Sequence, residues 1–102
     1  MAKYLLVYYG GKMETDPKRV EKSMANWMKW FAGLGKAVVD GGAPTQPGKI
    51  VSSTSVKSVG AKPVSGYSLL QADSLDAAVA MAKSCPVIAD GGQVAVYPLM
   101  PM

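Results

Sequence analysis

Residues 3–9 read Lys3-Tyr4-Leu5-Leu6-Val7-Tyr8-Tyr9, a short aliphatic and aromatic run closed by Gly10-Gly11. Its length, its Tyr and Val content and the glycine boundary read as a β-strand. Successive side chains on a strand point to opposite faces, so Tyr4, Leu6 and Tyr8 share one face and Leu5, Val7 and Tyr9 the other. Both faces are apolar. A sheet open to water on one side carries polar residues there, so each face of this strand needs a cover.

Working outward, Asp16-Pro17 is a helix start, with Asp16 as N-cap and Pro17 at the first helical position. Val20, Met24, Trp27, Phe31 and Leu34 then follow at spacings of four and three, which predicts the buried stripe of an amphipathic helix, widened by Met28. Trp30 lies off that stripe, and three roles are open to it: a partly exposed residue, a partner anchor, or a cavity lip. Gly33 and Gly35 end the helix. Lys36–Asp40 reads as a strand, and the loop Gly41–Gly48 is too rich in Gly and Pro to continue it. Lys49–Ser58 is a polar alternating stretch, an edge strand or a projecting hairpin. Gly60–Pro63 is a turn.

Val64–Ala72 is the next strand, with Tyr67 and Leu69 opposite Ser68 and Leu70. Asp73 or Ser74 caps a second helix whose expected buried face is Leu75, Ala78, Val79, Ala82 and Cys85, stopped by Pro86. Asp90-Gly91-Gly92 is a turn, and Gln93–Leu99 is the last strand, with Pro98 and Pro101 loosening its end.

The order β-α-β-(β)-β-α-β predicts an α+β class: a ferredoxin-like β-α-β-β-α-β antiparallel sheet with two helices on one face, built as a single domain over residues 1–102. The helices cover one sheet face only. A second copy is the economical cover for the other, since closed two-fold dimers are the commonest assembly. The expectation is therefore a homodimer.

Eleven Lys and Arg stand against seven Asp and Glu, a net charge of +4. Lys12, Lys18, Arg19, Lys22, Lys29 and Lys36 are interleaved with Glu14, Asp16 and Glu21, which reads as a solvated helix face rather than a phosphate-binding stripe. All the basic residues but Arg19 are Lys, poorly suited to bidentate base contacts, so no nucleic-acid partner is expected. No apolar run has the length of a membrane span, and Met1–Gly11 does not have the build of a signal peptide. The expectation is a cytoplasmic protein without a membrane partner.

There is no histidine and one cysteine, Cys85. That excludes Ser-His-Asp and Cys-His nucleophile systems and an internal disulfide, and leaves little from which to build a transition-metal site. No cofactor or metal is expected. Cys85, placed at a helix C-terminus, reads as an inert core thiol. None of the pairs Gly10-Gly11, Gly41-Gly42 and Gly91-Gly92 has nucleotide-loop spacing, and they read as turn punctuation. Asp40 reads either as a turn residue or as a cavity general base. Tyr8, Tyr9, Tyr67 and Trp27 read either as packed aromatics or as the lining of a small-molecule cavity between sheet and helices.

The stretches YLLVYYG (4–10), MANWMKWFAGLGKAVVDGGAP (24–44) and GYSLLQADSLDAAVAMAKSCPVIADGGQVAVYPL (66–99) resemble the YCII-related domain proteins, which include the DGPF-motif branch. The resemblance covers nearly the whole chain and is most specific over Gly66–Pro86 and Gly35–Gly42. It implies the ferredoxin-like half of a dimeric α+β barrel. Some members of that family carry a His-Asp pair. Here Met24 stands at the helix His position and Cys85-Pro86 where such members have Asp-Pro, and Lys62-Pro63-Val64-Ser65 replaces the DGPF tetrapeptide. With that pair absent, the expectation is a dimer that binds a small organic ligand in a cavity between sheet and helices, at Tyr8, Trp27 and Tyr67. Two alternatives stand beside it: a cofactor-free enzyme of isomerase or oxygenase type using Asp40 and a tyrosine, and a protein-interaction module using Trp30 and the tail Leu99–Met102.

Overall fold

The computed structural model describes residues 2–10, 16–60 and 63–101. Gly11, Lys12, Glu14, Ala61, Lys62 and Met102, named above in the glycine pair, the charged helix face, the turn and the tail, lie outside the described residues.

The chain is α+β, with elements in the order β1 (Ala2–Tyr9), α1 (Pro17–Leu34), a 3-10 turn (Gly35–Ala37), β2 (Val38–Pro44), β3 (Lys49–Val51), β4 (Val56–Ser58), β5 (Val64–Ala72), α2 (Leu75–Ala82), α3 (Pro86–Ala89) and β6 (Gln93–Pro98). Four strands form one antiparallel sheet in the order β2-β5-β1-β6. β1 lies at its centre, as a strand apolar on both faces should. β3 and β4 form a separate two-stranded sheet with Ile50, Val51 and Val56 exposed, the hairpin alternative for this stretch.

Alternation along β1 is realised residue by residue. Tyr4, Leu6 and Tyr8 are buried, while Leu5, Val7 and Tyr9 are only half-buried. Across the sheet, Leu6 pairs with Ser68 and Val96, and Val7 with Tyr67 and Ala95. One face thus carries Tyr4, Leu6, Tyr8, Ser68, Leu70, Val94 and Val96. There α1 and α2 pack, supplying Trp27, Trp30, Phe31, Ala78, Ala82 and Met81 to the core. The other face carries Leu5, Val7, Tyr9, Tyr67, Leu69, Ala95 and Tyr97.

The caps follow from local chemistry. Asp16 accepts from the Lys18 backbone N–H at 3.0 Å with Pro17 at the first helical position, and Ser74, not Asp73, caps α2 by accepting from the Ala77 N–H at 3.1 Å. Gly35 closes α1 with φ +56°.

Several expectations are corrected. The stripe of α1 is rolled: Trp27, Trp30, Phe31 and Leu34 face the core, while Met24 and Met28 are 61% and 70% exposed. Met28 is about 100° round the helix from Trp27, and the larger Trp30 ring wins the buried position because its indole N–H finds partners on the α2 side. In α2 the small residues Ala78 and Ala82 face the sheet, and Leu75 and Val79 are exposed. Pro86 does not stop a helix but starts α3, with Cys85 at its N-cap. The Gly41–Pro44 segment does not end the strand: β2 runs through it with two register shifts, and Gly41-Gly42 is a bulge, not a turn.

Candidate functional site

The bulge in β2 is the most specific polar construction described. Three strands are tied together through one buried hydroxyl. Tyr8 on β1 donates its O–H to Ser68 Oγ on β5 at 2.7 Å, and Ser68 donates to the carbonyl of Gly41 on β2 at 2.7 Å. Ser68 is fully buried, and this relay satisfies it. Gly42 must have φ +72°, and a Cβ there would collide with the backbone of Tyr67, so only glycine lets β2 approach β5 this closely. Asp40 is exposed, and its Oδ1 accepts from the Gly42 N–H at 2.8 Å. That is the turn-type role open to it from the sequence, here exercised within a bulge.

Four rings, that of Tyr8 included, cluster at this relay. Trp27 meets Tyr8 edge-on with ring centroids 5.0 Å apart, and Trp30 and Phe31 continue the cluster at 5.8 and 5.9 Å from Trp27. Trp30 is 8% exposed, and its Nε1–H is shared between the Met81 carbonyl at 3.2 Å and Ser84 Oγ at 3.1 Å. A residue so enclosed and hydrogen-bonded is not free to anchor a partner protein, although its edge does reach a surface groove between α1 and α3. Burial pushes the Tyr8 hydroxyl up to about 12, more than its hydrogen bond with Ser68 lowers it. Burial likewise pushes the Cys85 thiol up to about 11, against the Val87 backbone N–H that favours the thiolate. Both groups are neutral near pH 7, so Cys85 is a poor nucleophile there.

The structure therefore brings Tyr8 and Trp27 together but sets Tyr67 on the opposite face of the sheet. Tyr8 and Trp27 belong to a tightly filled layer between helices and sheet, in which Leu6 and Leu70 have no exposure at all. Tyr67 belongs with Tyr9 and Tyr97 on the open face, where a hydrogen bond with Tyr97 raises the Tyr9 pKa. Neighbouring strand residues point apart, and this separates Tyr8 from Tyr9. Ser68 carried a readable signal: it alternates with Gly66, Leu70 and Ala72, and a polar residue on a core face demands a partner.

Among the described residues no group of three or more His, Cys, Asp or Glu is placed to hold a metal ion, and no helix is long and apolar enough to cross a membrane. No known family profile and no curated protein matches the chain.

Proposed function

We propose that this chain is a ferredoxin-like domain of the YCII-related type, which pairs through its open sheet face with a second copy and holds a small organic ligand between the two sheets. The strand order β2-β5-β1-β6, with both helices on one face, supports the ferredoxin-like reading. The observation that carries the proposal is the open face itself. Leu5, Val7, Tyr9, Leu69, Ala95, Tyr67 and Tyr97 spread across three adjacent strands, and none is fully buried by any described residue.

A second copy is the occupant that fits. Three strands at ~4.8 Å spacing, each offering about six residues at ~3.4 Å, make a face of roughly 300 Å² before side-chain relief. That is over a third of the ~800 Å² per partner in a standard interface, and the hairpin β3–β4 exposes further apolar side chains at Ile50, Val51 and Val56. The molecule is thin as well as open, with extents of 42 × 40 × 18 Å and a radius of gyration of 14.7 Å, against about 13 Å for a closed domain of this length.

In this arrangement Tyr67, Tyr9 and Tyr97 line the ligand space with hydroxyls, while Tyr8 and Trp27 brace it from behind. With no histidine, and Asp40 engaged with its own backbone, binding is the reading supported. Native mass spectrometry of the purified chain tests it. The expected species is two copies plus one or more small organic molecules, lost on denaturation. Two copies that carry and accept no organic molecule would overturn the ligand half.

A further inference from the structure

The charged face of α1 is exposed, and it borders a groove. Arg19, Lys22, Asn26, Lys29 and Trp30 recur at three- and four-residue spacing, so they share one side of the helix. That side looks across a groove of about 570 Å³ toward Ser84, Pro86 and Asp90 around α3, within the ~300–1,000 Å³ range of small-molecule sites. Three cations line it against one carboxylate, Asp90, and they include the only arginine of the chain.

The floor is apolar and preset. Trp30 is held by Met81 and Ser84, and Ser84 in turn donates to the Met81 carbonyl at 3.1 Å. Pro86 and Ala89 complete that floor. A groove with a cationic wall and a rigid apolar floor suits a ligand with an anionic end and a compact hydrocarbon or aromatic body. Its size favours a small molecule over a polymer, and Lys36, Lys49 and Lys57, which would have to extend the track for a nucleic acid, lie on the turn after α1 and on the hairpin instead.

We propose that the groove between α1 and α3 binds a small organic phosphate, its phosphoryl group held by Arg19, Lys22 and Lys29 and its body resting on Trp30, Pro86 and Ala89. The two lysines act as point charges, and Arg19 adds its charge beside them. The site lies between α1 and α3 and shares no lining residue with the open sheet face.

Phenyl phosphate is the minimal probe, with inorganic phosphate and phenol as its two halves. In a ¹⁵N–¹H titration at constant ionic strength, phenyl phosphate is expected to shift the Trp30 indole and the Ser84 and Ala89 amides saturably and more tightly than either half. The double variant Lys22→Ala/Lys29→Ala is expected to weaken it at least roughly tenfold, while Lys49→Ala/Lys57→Ala on the hairpin leaves it unchanged. Both pairs are exposed, so neither threatens the fold. Three results would overturn the proposal: no saturable shift at Trp30, equal affinity for inorganic phosphate, or undiminished binding by the Lys22/Lys29 variant.

Discussion

The two faces of the central sheet are made from the same strands and nearly the same residue types, yet they end in different states. On the helix side Tyr4, Leu6, Tyr8 and Leu70 are sealed under α1 and α2, and the one polar side chain among them, Ser68, is satisfied at both ends. On the far side Leu5, Val7, Leu69 and Tyr67 are just as apolar, but none of them is fully buried by the described residues. Hydrophobicity alone does not distinguish the faces. What differs is whether the chain supplies the opposing layer, and that difference separates a core from an interface.

The comparison is sharpest at adjacent positions of β1. Leu6→Ala opens a cavity in a filled layer and is expected to cost about 2–5 kcal/mol in urea unfolding. Val7→Ala is expected to cost less in the fold itself and to show mainly as weaker self-association. Equal losses for the two at every protein concentration would erase the distinction. Next in size is Gly42→Ala. It combines a positive φ with a collision against the Tyr67 backbone and is expected to cost roughly 2–4 kcal/mol. Gly48→Ala, with open space around it, serves as the near-neutral control.

Ser68→Ala leaves the Gly41 carbonyl without its donor and Tyr8 without its acceptor, and about 1–3 kcal/mol is expected. The same relay sets an alkaline limit. Tyr8 ordinarily releases its proton at 10.0 and in the fold at about 12, and Cys85 at 9.0 and about 11. Over that span the unfolded chain holds fewer protons than the folded one, so stability falls as pH rises from about 9 to about 12 and is unaffected by these groups near pH 7. Tyr8→Phe should flatten the part of that fall between about 10 and 12, and an unchanged curve would mean that the hydroxyl is not buried as described. The smallest effect is expected for Met28→Gln, within ~0.5 kcal/mol, because the apolar stripe of α1 does not include it.

Much of this division was legible in residues 3–9. Period-two alternation is rigid, so both faces of β1, and the split of Tyr67 and Leu69 from Ser68 and Leu70, follow from counting. The helices were less legible because a 3.6-residue period leaves the roll of a stripe free by a residue. Trp30 displaced Met24 and Met28 from the core through hydrogen bonds to residues 51 and 54 positions away. β2 was obscured for a related reason. Gly41-Gly42 reads as a break in any local scan, and only the approach of Tyr67 and the hydroxyl of Ser68 make it a bulge. The grouping of Arg19, Lys22 and Lys29 was visible as a helix face, but the opposite wall of their groove depends on α3, whose start at Pro86 looks in sequence like a stop.

The central claim, that the open face is covered by a second copy, is tested most directly by sedimentation velocity on the wild-type chain and Val7→Lys at micromolar concentration. The account predicts a wild-type species of twice the 10.7 kDa chain mass and a folded, single-copy Val7→Lys. A wild type that sediments as one copy at that concentration would contradict it.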